Sequence, residues 1–247
     1  MLQENLIRMY EESFRAHREL PALTDYFKGE TFSYYEMAKE IAKLHLFFKK
    51  AEIRRGDKIA LVGRNNPRWC ITYLATITYG AVIVPILQDF APADIVHIVN
   101  HSESRLLFVG DNYWDIIEED EIARIDAVLS LTDFHVIYER RGKSLGVYMR
   151  DMVKNYRAKY KRGFSADDIK YPDIPNDQMV LLNYTSGTTG YSKGVMLTVN
   201  NLTGNVLVAK NARNTQTTIS YAAAARCRSC RWLTPTAVRS ISSPRWP

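Results

Sequence analysis

The sequence predicts an α/β fold, a mostly parallel sheet flanked by helices, and three observations predict it. Between about residues 30 and 150, short apolar runs alternate with helical patterns of roughly 10–15 residues, the rhythm of repeated strand–helix–strand units. Ala81 to Ile86 is rich in β-branched residues without polar alternation, as a strand covered on both faces should be. The 247 residues are 46% hydrophobic and 24% charged, with 12 Gly and 9 Pro, which excludes disordered, collagen-like and low-complexity chains.

Each element has a local reason. Ser33-Tyr34-Tyr35-Glu36 is a capping box, in which hydroxyl and carboxylate satisfy the free amides of a helix start. Met37, Ile41, Leu44 and Phe48 recur on one helical face, so the helix runs to about Ala51. Arg55-Gly56-Asp57 makes a turn into a strand from Lys58 to Val62. Pro67 opens a helix carrying Trp69, Tyr73, Leu74 and Ile77, which Gly80 stops. The strand Ala81 to Ile86 comes next, then a helix from Pro92 with Ile95, Ile98 and Val99. Arg105 to Val109, Ala127 to Leu131 and His135 to Tyr138 read as further strands. Lys161 to Gln178, rich in Asp, Lys and Pro and without a period, reads as a surface connector. Met179 to Tyr184 is a strand. No internal repeat is present.

Charge is concentrated at one end. Residues 213–247 hold six arginines and no Asp, Glu or Lys, and the remaining 27 basic residues are matched by 27 acidic ones. The basic excess therefore belongs to the tail and does not indicate a nucleic-acid partner for the body of the chain. No apolar run approaches the ~18 residues of a membrane span. Met1 to Asn5 lacks the basic-then-apolar pattern of a secretory signal. Three cysteines form no disulfide framework, so a reducing cytoplasm is the expected compartment. No metal site is expected: Cys227 and Cys230 have the spacing of half a zinc site, but no second Cys/His pair accompanies them.

Residues 184–195 read Tyr-Thr-Ser-Gly-Thr-Thr-Gly-Tyr-Ser-Lys-Gly-Val. Three glycines permit positive φ and close backbone approach, and hydroxyls and one ammonium surround them. A polyphosphate needs that combination of backbone and hydroxyl donors with a neutralising cation. The plain alternative is a Ser/Thr/Gly hairpin loop without a ligand. It is not a Walker loop: the Gly-Lys-Ser/Thr ending is absent, and Val195 to Thr198 continues as a strand, so no helix N-terminus faces the phosphate.

Tyr184 to Val195 resembles the phosphate-binding signature of the AMP-forming adenylating enzymes, which include acyl-CoA synthetases, firefly luciferase and peptide-synthetase adenylation domains. The resemblance covers most of residues 1–212, through Thr31 to Tyr34, Gly56 to Ala60, Asn66 to Trp69, Gly80 to Val82 and Val84 to Ile86. Thr188-Thr189 is similar to acyl-CoA synthetases, and the Asn-Pro-x-Trp element to long-chain fatty acyl members. Ser192 departs from the usual proline, and Val199 from a common histidine. The resemblance implies the N-terminal part of the acyl-adenylating fold, with a second sheet starting around the phosphate loop. It implies that a carboxylate attacks ATP to give acyl-adenylate and pyrophosphate, after which the thiol of CoA displaces AMP. The small-molecule substrates are then ATP, fatty acid and CoA, with Mg²⁺ as cofactor. Thr185, Ser186, Gly187, Thr188, Thr189, Gly190 and Lys193 would hold the β- and γ-phosphates. The resemblance is also compatible with peripheral membrane contact of the parent protein.

The resemblance stops near Asn214. With permitted codons for Arg226 to Ser243, the same nucleotides read one base earlier give Leu-Pro-Phe-Leu-Pro-Leu-Ala-His-Ala-Tyr-Gly-Cys-Ala-Phe-Asp-Phe-Leu. That string is similar to the segment beyond the phosphate loop in long-chain acyl-CoA synthetases. The expectation is that residues 1–212 are the N-terminal portion of an AMP-binding (adenylation) domain and 213–247 an out-of-frame, non-native tail. The fragment would then lack a complete catalytic set and be inactive. The competing readings are a non-catalytic nucleotide-binding or interaction module using the basic tail, and a ligase for an aryl or short-chain acid. His97 and His101 read as surface helix positions, Cys70 as core, and Trp69 as a helix anchor.

Overall fold

The computed structural model describes residues 2–25, 28–117, 119–122, 124–185 and 193–214. The first helix, α1 (Leu6–Ala16), is absent from the sequence-based expectation. Asn5 caps it by accepting from the amides of Ile7 and Arg8, and Leu6, Ile7, Tyr10 and Phe14 bury one face. An antiparallel hairpin of β1 (Pro21–Thr24) and β2 (Thr31–Ser33) leads into α2 (Tyr34–Lys50). The capping box forms: Ser33 Oγ accepts from the Glu36 amide at 3.2 Å, and the Glu36 carboxylate accepts from the Ser33 amide at 2.8 Å. Strand β3 (Lys58–Val62) precedes α3 (Pro67–Tyr79), where Asn66 accepts from the Trp69 amide at 2.9 Å. Gly80 ends that helix at φ +89°, a conformation that favours glycine.

Next come β4 (Val82–Ile86), α4 (Pro92–His101), β5 (Leu106–Val109), a single turn α5 (Asp111–Trp114), β6 (Ala127–Ser130) and β7 (Val136–Glu139). Two short helices, α6 (Leu145–Arg150) and α7 (Met152–Lys159), precede the connector. The described chain ends in β8 (Met179–Thr185), β9 (Lys193–Thr198) and α8 (Val199–Asn214).

Seven strands form one sheet in the order β7-β6-β5-β3-β4-β8-β9, with β6, β5, β3, β4 and β8 parallel and an antiparallel strand at each edge. Alternation along each strand divides the interior in two. Ile59, Leu61, Ile83, Leu106 and Phe108 face one core with α1, α2 and α3. Ala60, Val62, Val84, Leu107 and Val109 face a second with Ile95, Ile98 and Val99 of α4. Both faces are covered, as the unalternating apolar strand Ala81 to Ile86 predicts.

Strand β7 runs antiparallel to β6, as a mostly parallel sheet allows, because residues 131–135 are too short for a parallel crossover. Two expectations change. No second sheet begins at the phosphate loop within the described residues: β8 pairs with β4 through Ile83↔Leu181, so the hairpin extends the same sheet. Val180 is fully buried in the first core, on the face of that same sheet which α1, α2 and α3 cover. The connector 161–178 is not purely surface, since Phe164, Ile169 and Ile174 are buried against the first core. Its Asn176 donates to the carbonyls of Leu2 and Glu4 at 2.9 Å, tying the start of α1 down.

Candidate functional site

In an open parallel sheet, ligands sit beyond the carboxyl ends of the strands. In this fold that rim carries Gly63 after β3, Gly110 after β5 and the end of β8. Gly63 has φ +151°, and a Cβ there would lie 2.9 Å from Leu131 and 3.2 Å from the Gly110 amide nitrogen. The two loops therefore meet backbone to backbone.

The hairpin β8–β9 sets the candidate site. Its register pairs Tyr184 with Gly194 and Thr185 with Lys193, so the first and last residues of the predicted phosphate set face each other across the ladder. Both Thr185 and Lys193 are exposed. Ser186, Gly187, Thr188, Thr189 and Gly190 lie outside the described residues, as do the departure Ser192 and the tail from 215 onward.

Tyr184 is 2% exposed, and its ring belongs to the second core. Burial raises its phenol pKa. Its hydroxyl and His101 Nδ1 hydrogen-bond at 2.7 Å, and the two rings meet edge-on with centroids 5.8 Å apart. Across the ladder, a Cβ on Gly194 would lie 3.3 Å from the Tyr184 ring and 3.0 Å from Leu182, so only glycine fits there without displacement. His101 is a residue that sequence reasoning left as plain surface. It is indeed exposed, but no local signal links two residues 83 positions apart. His97 is exposed as expected, with its ring 5.5 Å from that of His101.

The other single residues have structural roles. Cys70 is buried, which pushes its thiol up to about 12 and leaves it unreactive. Trp69 stacks on Tyr73 at 5.7 Å within α3. Among the described residues no group of three or more His, Cys, Asp or Glu is arranged to hold a metal ion, and no helix is long and apolar enough to cross a membrane.

Comparison with known proteins decides the family. The profile described as AMP-binding enzyme matches residues 10–240. The chain belongs to the AMP-binding enzyme family. The match runs past residue 212 into the arginine-bearing tail. Among relatives of this AMP-binding family member is 4-hydroxybutyrate–CoA ligase 2 of Metallosphaera sedula, 32% identical over 152 residues, which span 59% of this chain and 26% of the relative. Long-chain-fatty-acid–CoA ligase 6 of Rattus norvegicus is 29% identical over 177 residues, 69% of this chain and 25% of the relative. The chain thus spans about a quarter of the length of these two relatives. Among solved structures, an anthranilate CoA ligase in complex with anthranoyl-AMP superimposes with a TM-score of 0.64 at 16% identity, covering 83% of this chain and 36% of the other. That likeness confirms the fold. Both curated relatives are named as acid–CoA ligases, and that is what this chain is similar to.

Proposed function

We propose that this chain is the N-terminal portion of an AMP-forming long-chain fatty acid–CoA ligase, and that residues 185–193 hold the triphosphate of ATP. The observation that carries the reading is the glycine-, hydroxyl- and lysine-bearing loop closed by the Thr185↔Lys193 pair at the carboxyl rim of the sheet. In the proposed reaction a carboxylate oxygen bonds to the α-phosphorus, the bond to the bridging oxygen breaks, and pyrophosphate leaves with that electron pair. The thiol of CoA then attacks the acyl carbon and AMP departs.

The chain's own part in this is to bind and orient. Thr185, Ser186, Thr188 and Thr189 donate hydroxyl protons to β- and γ-phosphate oxygens. Gly187 and Gly190 bring the backbone close, and Lys193 neutralises charge that grows on the leaving pyrophosphate. Mg²⁺ would add charge neutralisation on the phosphates, and no described residue is assigned to hold it. Residues 1–212 form the native portion of the domain and 213–247 come from a shifted reading frame. Against that boundary stands the family match, which reaches residue 240. A polypeptide of these 247 residues alone forms no acyl-adenylate, because it spans only a fraction of the ligases it matches.

A second reading has an observation in its favour: the relative with the higher identity is named for 4-hydroxybutyrate, a short acid. The long-chain reading rests on the Asn-Pro-x-Trp resemblance, and here Asn66 caps α3 while Trp69 stacks within it. Nucleotide sequence from codon 205 onward tests the frame directly. The expected result is an open frame continuing with ligase sequence after a shift between about Arg213 and Arg226. Assayed on the restored protein, ATP–pyrophosphate exchange should depend on a long-chain fatty acid, and dependence on 4-hydroxybutyrate instead would select the second reading.

A further inference from the structure

We infer that a cavity in the helical layer, between α2, the end of α3 and the connector 161–178, binds a small phenolic carboxylate. The cavity offers about 270 Å³, room for one aromatic ring with a short side group. Its walls include Leu46 and the rings of Tyr79, Tyr160, Phe164 and Tyr171. Tyr160 and Phe164 already meet edge-on with centroids 5.0 Å apart, so a ligand ring finds both faces and edges to pack against. No lining residue belongs to the carboxyl rim of the sheet or to the set proposed to hold phosphate.

Two polar features set the chemistry of the ligand. The first is His45 on α2, which lines the cavity. Its Nε2 meets the Ala75 carbonyl at 3.0 Å, and a carbonyl only accepts, so Nε2 carries the proton. Thr78 Oγ1, 3.1 Å from the same nitrogen, donates its own proton to the Leu74 carbonyl at 2.6 Å. Burial keeps the ring neutral, so Nδ1 is a bare acceptor, and it has no partner among the described residues. A phenol O–H is the donor it lacks. The second feature is charge. Lys49, Lys159 and Lys170 line the cavity, are exposed, and form no ion pair among the described residues. Lys49 and Lys159 also offset the negative ends of α2 and α7, but Lys170 sits on the connector with no α-helix end to serve. Asp168 is the acid among the lining residues, and its Oδ2 already accepts from the Ser165 amide and hydroxyl at 2.8 Å. Residues 154–162 add Lys154, Arg157, Lys161 and Arg162 and contain no acid, so the field around the mouth favours an anion. A carboxylate among the lysines, with the phenol on His45, satisfies both features.

Calorimetric titration of the 247-residue chain with 4-hydroxyphenylacetate tests the inference, beside two probes that each lack one group. Phenylacetate keeps the charge and loses the donor, whereas 4-hydroxyphenylethanol keeps the donor and loses the charge. Saturable binding of 4-hydroxyphenylacetate is expected. Phenylacetate should bind about three- to tenfold more weakly and the alcohol about tenfold or more, the worth of a neutral and of a charge-assisted hydrogen bond. Lys159→Gln combined with Lys170→Gln should weaken the acid about tenfold and leave the alcohol unchanged. Ala42→Leu, which fills the cavity, should abolish binding of all three probes. Should that variant unfold, the double lysine variant, altered only at exposed positions, decides alone. No saturable binding of 4-hydroxyphenylacetate overturns the inference, and so does wild-type affinity for it in the double lysine variant. Equal affinity for phenylacetate and its hydroxylated partner overturns the role of His45.

Discussion

The two ends of the parallel strands are built for different purposes. At the amino end, Asp57, Arg105 and Asp126 stand one residue before β3, β5 and β6 and close on one another. Arg105 donates to Asp57 at 2.9 Å and to Asp126 at 3.0 Å, and its Nη1 also reaches the Glu52 carbonyl at 2.7 Å. Asp126 is 5% exposed, and Lys143 lies 3.7 Å from its second oxygen. At the carboxyl end, glycines bring loops together, and the side chains of Thr185 and Lys193 stand exposed. A charge cluster that satisfies itself fixes a fold, while polar groups presented outward on a rigid rim are available to a ligand. Framework substitutions should therefore move stability, and rim substitutions should move binding.

The largest effect is expected from Arg105→Met. It leaves the buried Asp126 without its main partner and should destabilise by roughly 3–5 kcal/mol in urea unfolding. Tripolyphosphate affinity of the protein that remains folded should be unchanged; a parallel loss of affinity would break the division between the two ends.

A second framework group responds to pH. His45 on α2 sets its ring among those of Phe48, Tyr79 and Tyr171. Desolvation there pushes its pKa down to about 4, although its Nε2 hydrogen-bonds the Ala75 carbonyl at 3.0 Å. The folded state thus resists a proton that the unfolded chain accepts near pH 6.5. Stability from this group is complete above pH 6.5 and falls as pH drops toward 4, by about 3 kcal/mol. His45→Gln should flatten that part of the stability–pH curve, and an equal slope in the variant would contradict the assignment.

Gly63→Ala sharpens the comparison because it is a framework change located at the rim. Its Cβ would meet Leu131 and the Gly110 backbone at positive φ, so a loss of about 2 kcal/mol is expected in thermal or urea unfolding. Ser33→Ala, far from the rim, removes only the cap of α2 and should cost about 1 kcal/mol, with no change in any ligand titration.

The framework was legible in sequence wherever a local code exists. The Ser33–Glu36 box, Asn66-Pro67 and Gly80 mark their helix ends through nearby backbone groups, and the apolar strands declare their burial by composition. The features that stayed hidden depend on distant partners. Helix α8 mixes several asparagines and Gly204 with its apolar residues, and only packing of Val199, Leu202 and Thr203 identifies its inner face. The buried Thr203 accepts from the Leu6 amide at 3.1 Å, linking α8 to α1 across the whole described chain. The edge direction of β7 depends on a loop length, and the single sheet on a pairing of β4 with β8 that no short motif encodes. At the candidate site, the loop string announced its chemistry, whereas His101 carries no signal until the fold brings it to Tyr184.

The central claim is that the loop from Thr185 to Lys193 binds the phosphates of ATP. Calorimetric titration of Mg²⁺–ATP into the 247-residue chain, beside Lys193→Ala, tests it most directly. One charge-assisted contact is worth ~1.5–3 kcal/mol, so the variant should bind about tenfold or more weakly, with an unchanged unfolding midpoint. No measurable binding by the wild-type chain, or equal affinity in the two proteins, would contradict the account.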